Sequence, residues 1–233
     1  SAFLAKNMPE RGGVFLQSES EVAAINMVLG AACTGTRVMT SSSSPGISLM
    51  SEGVSYIAGS DVPCVIVNVQ RGGPGLGGIQ PSQSDYWQAT KALGHGDFQM
   101  IVLAPCSVQE IVDMTVLAFD KAEEYRVPVM ILADGLLGQM MEPVIFPEDK
   151  PVAKKFEWAT DGHENKREHN VVNTLFLQPD VLEKSVDDRF KRYEKIIEAE
   201  QRSELFHFDE ATEIAVVAYG ACARVVKSAV RMA

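Results

Sequence analysis

One stretch restricts the fold more than any other. Pro63–Gln70, PCVIVNVQ, is a nearly continuous apolar run that ends at Arg71. A strand of this composition is covered on both faces, as happens in a parallel sheet with helices packed above and below. Pro128–Ala133 (PVMILA) reads the same way and runs into Asp134–Gly135. Parallel strands need a crossover connection, usually a helix. Helical patterns separate these runs, so the expectation is an α/β chain with a parallel, doubly wound sheet.

A second unit, Gly13–Gly35, combines a short strand, a polar turn and a helix. Val14–Leu16 has strand character, and Val22, Ile25, Val28, Leu29 and Ala32 recur at helical spacing. Ala23, Ala24, Ala31 and Ala32 keep that helix thin. Glu21 stands at its entrance. Ser18 and Glu21 fit S-x-x-E, a capping box that satisfies the first N–H groups of a helix. The other reading puts Glu21 at the carboxyl edge of a parallel strand, where α/β proteins bind ligands. The two readings are compatible.

The remaining chain supplies the other elements. Ser1–Gly12 reads as a partial helix, with no Met opening it. Thr36–Thr40 (TRVMT) is a short strand, Ser41–Gly46 (SSSSPG) a loop and Ile47–Gly59 a helix. Gly72–Gly78 (GGPGLGG) is a glycine-rich loop that continues through Gln80, Pro81 and Ser82. Asp85–Leu93 reads as helix, Gly94–Asp97 as a turn and Met100–Ala104 as a strand. Ser107 and Glu110 form another capping box, opening a helix to about Tyr125. Pro143, Pro147 and Pro151 mark a change of composition, and Lys154–Asn170 is polar and charged, as in a connector. Asp180 is placed to cap a long amphipathic helix with Leu182, Phe190, Tyr193, Ile196 and Ile197 facing inward. Thr212–Tyr219 (TEIAVVAY) reads as a further strand, with a helix from about Ala221. One strand and one helix cannot bury a core, so a second α/β domain is expected to begin here and to be cut off at Ala233.

Charge and cysteine content narrow the function classes. The net charge of −10 argues against nucleic acid and against anionic membrane surfaces as partners. No apolar run approaches the roughly 20 residues of a membrane-spanning helix. Cys33, Cys64, Cys106 and Cys222 are far apart, in apolar contexts and without a C-x-x-C pair. That reads as reduced, buried thiols in a cytoplasmic protein, not as a zinc or iron–sulfur site held by this chain.

Few residues are placed to carry chemistry. Arg71 ends a buried strand ahead of a flexible loop, which suits bidentate capture of a carboxylate or phosphate, or else a structural ion pair. Gly73, Gly75 and Gly78 match G-x-G-x-x-G, but Pro74 and the following IQPSQS do not open the helix that a dinucleotide fingerprint requires. This also counts against a nicotinamide-dependent dehydrogenase. Ser41–Ser44 offer hydroxyls at a strand end, where serines also serve turns. His95 lies between two glycines, while His163, His169 and His207 sit in polar connectors without ligand spacing.

Taken together, Gly13–Gly35, TSSSSPGISLMSEG (40–53), VIVNVQRGGPGLG (65–77), QPSQSD (80–85), LAPCSVQE (103–110) and VPVMILADG (127–135) resemble the alpha subunit of 2-oxoacid:ferredoxin oxidoreductases. The QRGGPGLG and IQPSQSD segments are most similar to the branched-chain, 2-oxoisovalerate members, with 2-oxoglutarate members as close relatives. The resemblance implies a thiamine diphosphate-binding fold in which this subunit supplies the pyrimidine-binding domain. Residues 1–147 would form that domain without its opening unit, 148–211 a connector with a long helix, and 212–233 the start of a second α/β domain.

The implied activity is oxidative decarboxylation of a 2-oxoacid to its acyl-CoA, with ferredoxin as electron acceptor. A scaffold subunit without a catalytic part is the alternative from another class. Glu21 matches the glutamate that bonds N1′ of the aminopyrimidine, where a shared proton favours the imino tautomer that removes the thiazolium C2 proton. Arg71 matches an arginine near the 2-oxoacid carboxylate. Ser42 falls on the cofactor side of its loop, and Ser43 and Ser44 on the substrate side. A separate beta subunit would carry the diphosphate–Mg²⁺ site. Gamma and delta ferredoxin-type subunits would carry the iron–sulfur clusters, and coenzyme A would be co-substrate. The chain is expected to be a fragment that is inactive by itself.

Overall fold

The computed structural model describes residues 2–148 and 154–232. Pro151 and Ala233, invoked for the connector and for the end of the second domain, lie outside the described residues. β1 (Met39–Ser42), β2 (Cys64–Gln70), β3 (Ile101–Leu103) and β4 (Pro128–Asp134) form one sheet in the order β1-β2-β4-β3. All three pairings are parallel. The two apolar runs singled out in the sequence are the central strands, paired from Cys64 opposite Pro128 to Gln70 opposite Asp134.

The period of two divides these strands between two cores. On one face Cys64, Ile66, Met130 and Leu132 pack with Ile25, Val28, Ile47, Met50, Val54 and Ile57. Those partners come from α2 (Glu21–Cys33) and α3 (Pro45–Gly59). On the other face Val65, Val129 and Ile131 pack with Ile101, Leu103, Ala118, Ala122 and Tyr193. Here the cover is α4 (Val108–Tyr125) and a later helix over Pro179–Ala199. Gly53 lets α2 and α3 close on each other, because a Cβ there would lie 2.4 Å from Ile25 Cγ2.

The α4 cap forms as the sequence predicts. Ser107 Oγ accepts from the Glu110 N–H at 3.1 Å, and the Glu110 carboxylate accepts from the Cys106 N–H at 2.7 Å. Several other expectations do not hold. Val14–Leu16 is not a strand: Val14 is 80% and Leu16 67% exposed. Thr212–Tyr219 is irregular too, with Val217 97% exposed. A strand exists only where a neighbour completes its hydrogen bonds, and neither segment pairs with a strand of the described sheet. The strand expected at Thr36–Thr40 is shifted to Met39–Ser42. Asp85–Leu93 is helical as expected, over residues 86–92, with Gln88–Ala92 wound as a π-helix.

The long helix begins at Pro179 with Gln178 as N-cap and no side-chain cap, so Asp180 does not cap it. Its inward face is narrower than expected: Phe190, Tyr193 and Ile196 reach the core while Leu182 and Ile197 remain exposed. Cys64 is buried, and burial pushes its thiol up to about 12. Cys222 is exposed, against the expectation of four buried thiols. All four cysteines are free.

Two short helices, Ala2–Asn7 and Gly135–Gln139, a 3-10 turn at Pro9–Arg11 and a final helix, Gly220–Met232, complete the described elements. The chain exposes 15418 Å². A compact monomer of this mass would expose about 10,000 Å². The excess includes apolar side chains such as Met141, Phe146, Leu177, Leu205 and Val217. No described helix is long and apolar enough to cross a membrane.

Candidate functional site

The carboxyl ends of β1 and β2 lie side by side, with Ser42 opposite Asn68. The turn from β1 into α3 carries the SSSSPG loop, and three of its serines have different surroundings. Ser42 Oγ sits against Gly46, where a Cβ would be 2.0 Å from it and 2.9 Å from Glu21 Oε1. Only glycine therefore fits at Gly46 with Ser42 and Glu21 placed as they are. The Ser43 carbonyl accepts from the Gly46 N–H at 2.8 Å. Ser44, the N-cap of α3, has φ 28° and ψ −84°, outside the wells that a serine ordinarily occupies.

Glu21 is the first residue of α2, and its N-cap is Ser20. The capping box expected from Ser18 and Glu21 does not form, because Glu21 stands at the first helical position and not the third. Ser18 Oγ donates instead to the Ser20 carbonyl at 2.9 Å. The Glu21 carboxylate is thus turned toward Ser42 and Gly46 and not onto the N–H groups of its own helix.

Arg71 follows β2 directly, and its main-chain N–H donates to Ser44 Oγ at 3.0 Å. Its guanidinium has no carboxylate partner among the described residues, and its buried Nε has no acceptor. The glycine-rich loop after it is closed by Gly72 N–H to Gln80 O (3.1 Å) and Gly78 N–H to Gly72 O (2.9 Å). Gly77 has φ +62° and would bring a Cβ to 1.7 Å from Gly72 O, so only glycine fits that turn. No helix follows Gly78, in keeping with the reading of a tight loop and not a dinucleotide fingerprint.

Between this loop and the start of α3 lies an open cleft of about 600 Å³. Ser44, Pro45, Ser48, Gly73, Pro74, Gly75, Ser84, Asp85 and Gln88 line it. Four polar residues here escaped the sequence reading: Asn68, Gln70, Asp85 and Gln88. Asn68 is 0% and Gln70 1% exposed, both on the α2/α3 face of β2. Their signal was present as two amides at alternate positions of an otherwise apolar strand. A buried amide must find partners, and here it finds them across the cleft floor. Beyond it, Tyr219 Oη donates to Gln83 O (3.0 Å) and Gln83 Nε2 donates to Tyr219 O (2.8 Å), clasping a late segment onto the same loop.

Glu21, Ser42, Ser43, Ser44 and Arg71 are therefore gathered about one turn, with Glu21 on its Ser42 side and Arg71 on its Ser44 side. The histidines are not part of it. His95 Nε2 pairs with Ser55 Oγ at 3.2 Å, on α3 about 15 Å along the helix from its start. His163 and His169 pack against each other at a tilt, with ring centroids 4.0 Å apart.

An open cleft over the strand ends of a doubly wound parallel sheet makes this an α/β ligand-binding domain, with its site where that architecture places one. Comparison with known proteins says which. Residues 2–206 match the family described as pyruvate flavodoxin/ferredoxin oxidoreductase, thiamine diphosphate-binding, and the chain belongs to that family.

Relatives agree with the resemblance read from the motifs. The chain is 49% identical over 230 residues to the ketoisovalerate oxidoreductase subunit VorB of Methanothermobacter thermautotrophicus, covering 98% of this chain and 65% of that protein. It is 35% identical over 254 residues to the 2-oxoglutarate synthase subunit KorA of Methanocaldococcus jannaschii, covering 98% and 68%. A solved structure, 2-oxoglutarate:ferredoxin oxidoreductase from Magnetococcus marinus with 2-oxoglutarate, coenzyme A and succinyl-CoA bound, superposes with a TM-score of 0.80 at 27% identity. That match covers 99% of this chain and 45% of the other. The chain thus spans about 65% of the length of the VorB relative.

Proposed function

We propose that the chain is part of a 2-oxoacid:ferredoxin oxidoreductase subunit acting on 2-oxoisovalerate, and that the cleft holds the reacting end of the substrate. The observation that carries this reading is Arg71, a half-buried guanidinium at the carboxyl edge whose Nε has no acceptor. The residues fit the family's cofactor: a carboxylate, Glu21, and a hydroxyl, Ser42, both border Gly46, a glycine with no room for a side chain. Thiamine diphosphate, when bound, supplies the electron sink that lets a 2-oxoacid lose carbon dioxide. Glu21 holds a proton against N1′ of the aminopyrimidine, and Ser42 borders the same position. Arg71 takes the substrate carboxylate in a charge-assisted pair, and Ser43 and Ser44 form the wall beside it. In the overall reaction the acyl carbon left after decarboxylation is oxidised and bonded to the coenzyme A sulfur, while its electrons pass to ferredoxin.

The charges of the cleft support a preference for an apolar side chain. A dicarboxylate such as 2-oxoglutarate needs a second cation, and the described residues lining the cleft include none, only Asp85. The large exposed surface supports partner subunits. The beta subunit would bring the diphosphate–Mg²⁺ half of the site, and gamma and delta subunits the iron–sulfur clusters that feed ferredoxin. Residues 1–147 would be the pyrimidine-facing domain, 148–211 its connector and 212–233 the opening of the next domain, in a cytoplasmic complex.

The test uses the full-length subunit assembled with its partners. Acyl-CoA formation and ferredoxin reduction are measured with 2-oxoisovalerate and 2-oxoglutarate. A higher kcat/KM for 2-oxoisovalerate is expected. A higher value for 2-oxoglutarate would overturn the substrate assignment, and no acyl-CoA from either would overturn the activity.

A further inference from the structure

Asp85 ends the QPSQSD segment, and it joins Ser44, Asn68 and Gln70 at the cleft floor. Its Oδ2 lies 2.5 Å from Ser44 Oγ and 3.0 Å from Asn68 Nδ2. Its main-chain N–H donates to Gln70 Oε1 at 3.1 Å, and Gln70 Nε2 donates to Ala133 O on β4. The carboxylate is thereby anchored to the centre of the sheet through a side chain that is itself buried.

The direction of these bonds follows from what each group can do. A carboxylate only accepts, and a serine hydroxyl has one proton. The Ser44 proton therefore points to Asp85, the charged acceptor, which leaves an Oγ lone pair for the Arg71 N–H at 3.0 Å. Two amides hold the rest of Ser44. Its N–H donates to Asn68 Oδ1 at 3.1 Å, and its carbonyl accepts from Gln88 Nε2 at 3.1 Å. A serine at φ 28° is strained, and such a conformation persists only where its surroundings over-determine it.

We propose that Asp85 is a positioning residue. Its carboxylate orients the Ser44 hydroxyl, the hydroxyl anchors the Arg71 main chain, and the guanidinium is thereby held at the carboxyl edge of β2 beside the cleft. The role of Arg71 as anion binder is taken from the functional reading above, while the anchoring chain stands on the hydrogen bonds alone.

The experiment compares Asp85→Ala, Asp85→Asn, Ser44→Ala and Arg71→Leu in the full-length subunit assembled with its partners. It has two readouts: hydrogen–deuterium exchange of the peptide spanning Gln70–Gly72, and KM for the 2-oxoacid separated from kcat. Asp85→Ala is expected to speed exchange at Arg71 and to raise KM roughly 10- to 100-fold, with kcat changed less, as for a displaced binding group. Ser44→Ala should do the same, and it decides the matter if Asp85→Ala does not assemble. Asp85→Asn should recover most of both losses, because an amide oxygen still accepts from Ser44 and Asn68.

Unchanged exchange at Arg71 in both alanine variants would overturn the proposal. So would an Asp85→Asn variant as impaired as Asp85→Ala, since the charge and not the acceptor would then matter. If exchange rises as expected while Arg71→Leu leaves KM unaltered, the anchoring stands and the anion-binding reading of Arg71 falls.

Discussion

The two ends of the sheet treat charge in opposite ways. At the amino end, Arg37 ahead of β1 lies 2.7 Å from Glu123 and 2.6 Å from Asp120, and Lys154 lies 3.2 Å from Glu123. Asp61, just before β2, pairs with Arg189 at 3.1 Å and with Arg192, fastening the Pro179–Ala199 helix to the sheet. Each of these arginines has a carboxylate. At the carboxyl end Arg71 has none among the described residues; of the nearby carboxylates, Asp85 accepts from a hydroxyl and an amide, and Glu21 stands beside Gly46. Ion pairs at one end tie helices to strands. At the other, a cation is held by its main chain alone and its side chain is left for something else. Topology already sets the carboxyl ends of parallel strands apart as the ligand edge, and the charges follow it, with one end a fastening and the other a site.

The sharpest test of this contrast is Glu21→Gln. Glutamine keeps the shape but cannot share a proton with N1′. In the assembled complex, solvent exchange of the C2 hydrogen of bound thiamine diphosphate should fall by roughly 10²–10⁴-fold while the complex stays folded. Exchange at the wild-type rate would reduce Glu21 to a helix-terminal charge. Arg71→Leu comes next. It should lower kcat/KM for the 2-oxoacid by an amount equivalent to about 2–5 kcal/mol, with cofactor affinity and Tm nearly unchanged. A fall in Tm with unaltered kinetics would place Arg71 with the fastening arginines.

At the amino end the pattern reverses. Arg37→Ala leaves the Glu123 carboxylate, whose side chain is 6% exposed, without its main partner. Stability measured by denaturant should drop by about 1–3 kcal/mol, with KM untouched.

The smallest effect is acid sensitivity. Burial raises the Glu123 carboxyl, but hydrogen bonds from Arg37 and Lys154 outweigh it and hold the group below its ordinary value of 4.5. A depressed folded value means the contribution is complete above 4.5 and is lost as pH falls from there through the folded value. Tm should therefore decline below that pH in the wild type and more shallowly in Glu123→Gln. Equal slopes would show the ion pair to be neutral for stability.

The sheet was legible in the chain because burial on both faces leaves a signature that needs no partner to be read. Cys64–Gln70 and Pro128–Asp134 are apolar along their whole length, and the helices between them carry their own period and, at Ser107, their own cap. Misreadings came where an element depends on a neighbour. Val14–Leu16 and Thr212–Tyr219 have the composition of strands, but no described strand completes their hydrogen bonds. Ser18 and Glu21 have the spacing of a cap, but the helix starts one residue after Ser20 and removes the register on which a cap depends.

The candidate site shows the same division. Glu21 and Arg71 were visible from type and position: one acid at a helix entrance, one arginine at the end of a buried strand. The serine loop, the glycine-rich loop and the family likeness were likewise written in the chain. Which hydroxyl faces which partner was not. That Ser44 is held in a strained turn by Asn68, Asp85 and Gln88, and that its Oγ takes the Arg71 N–H, joins residues 17 to 44 positions apart. Local sequence governs periodicity, composition and the reach of a cap, because these act within a turn or two of chain. The direction of a hydrogen bond across a cleft depends on which strands lie side by side, and only the parallel register of β1 on β2 decided that.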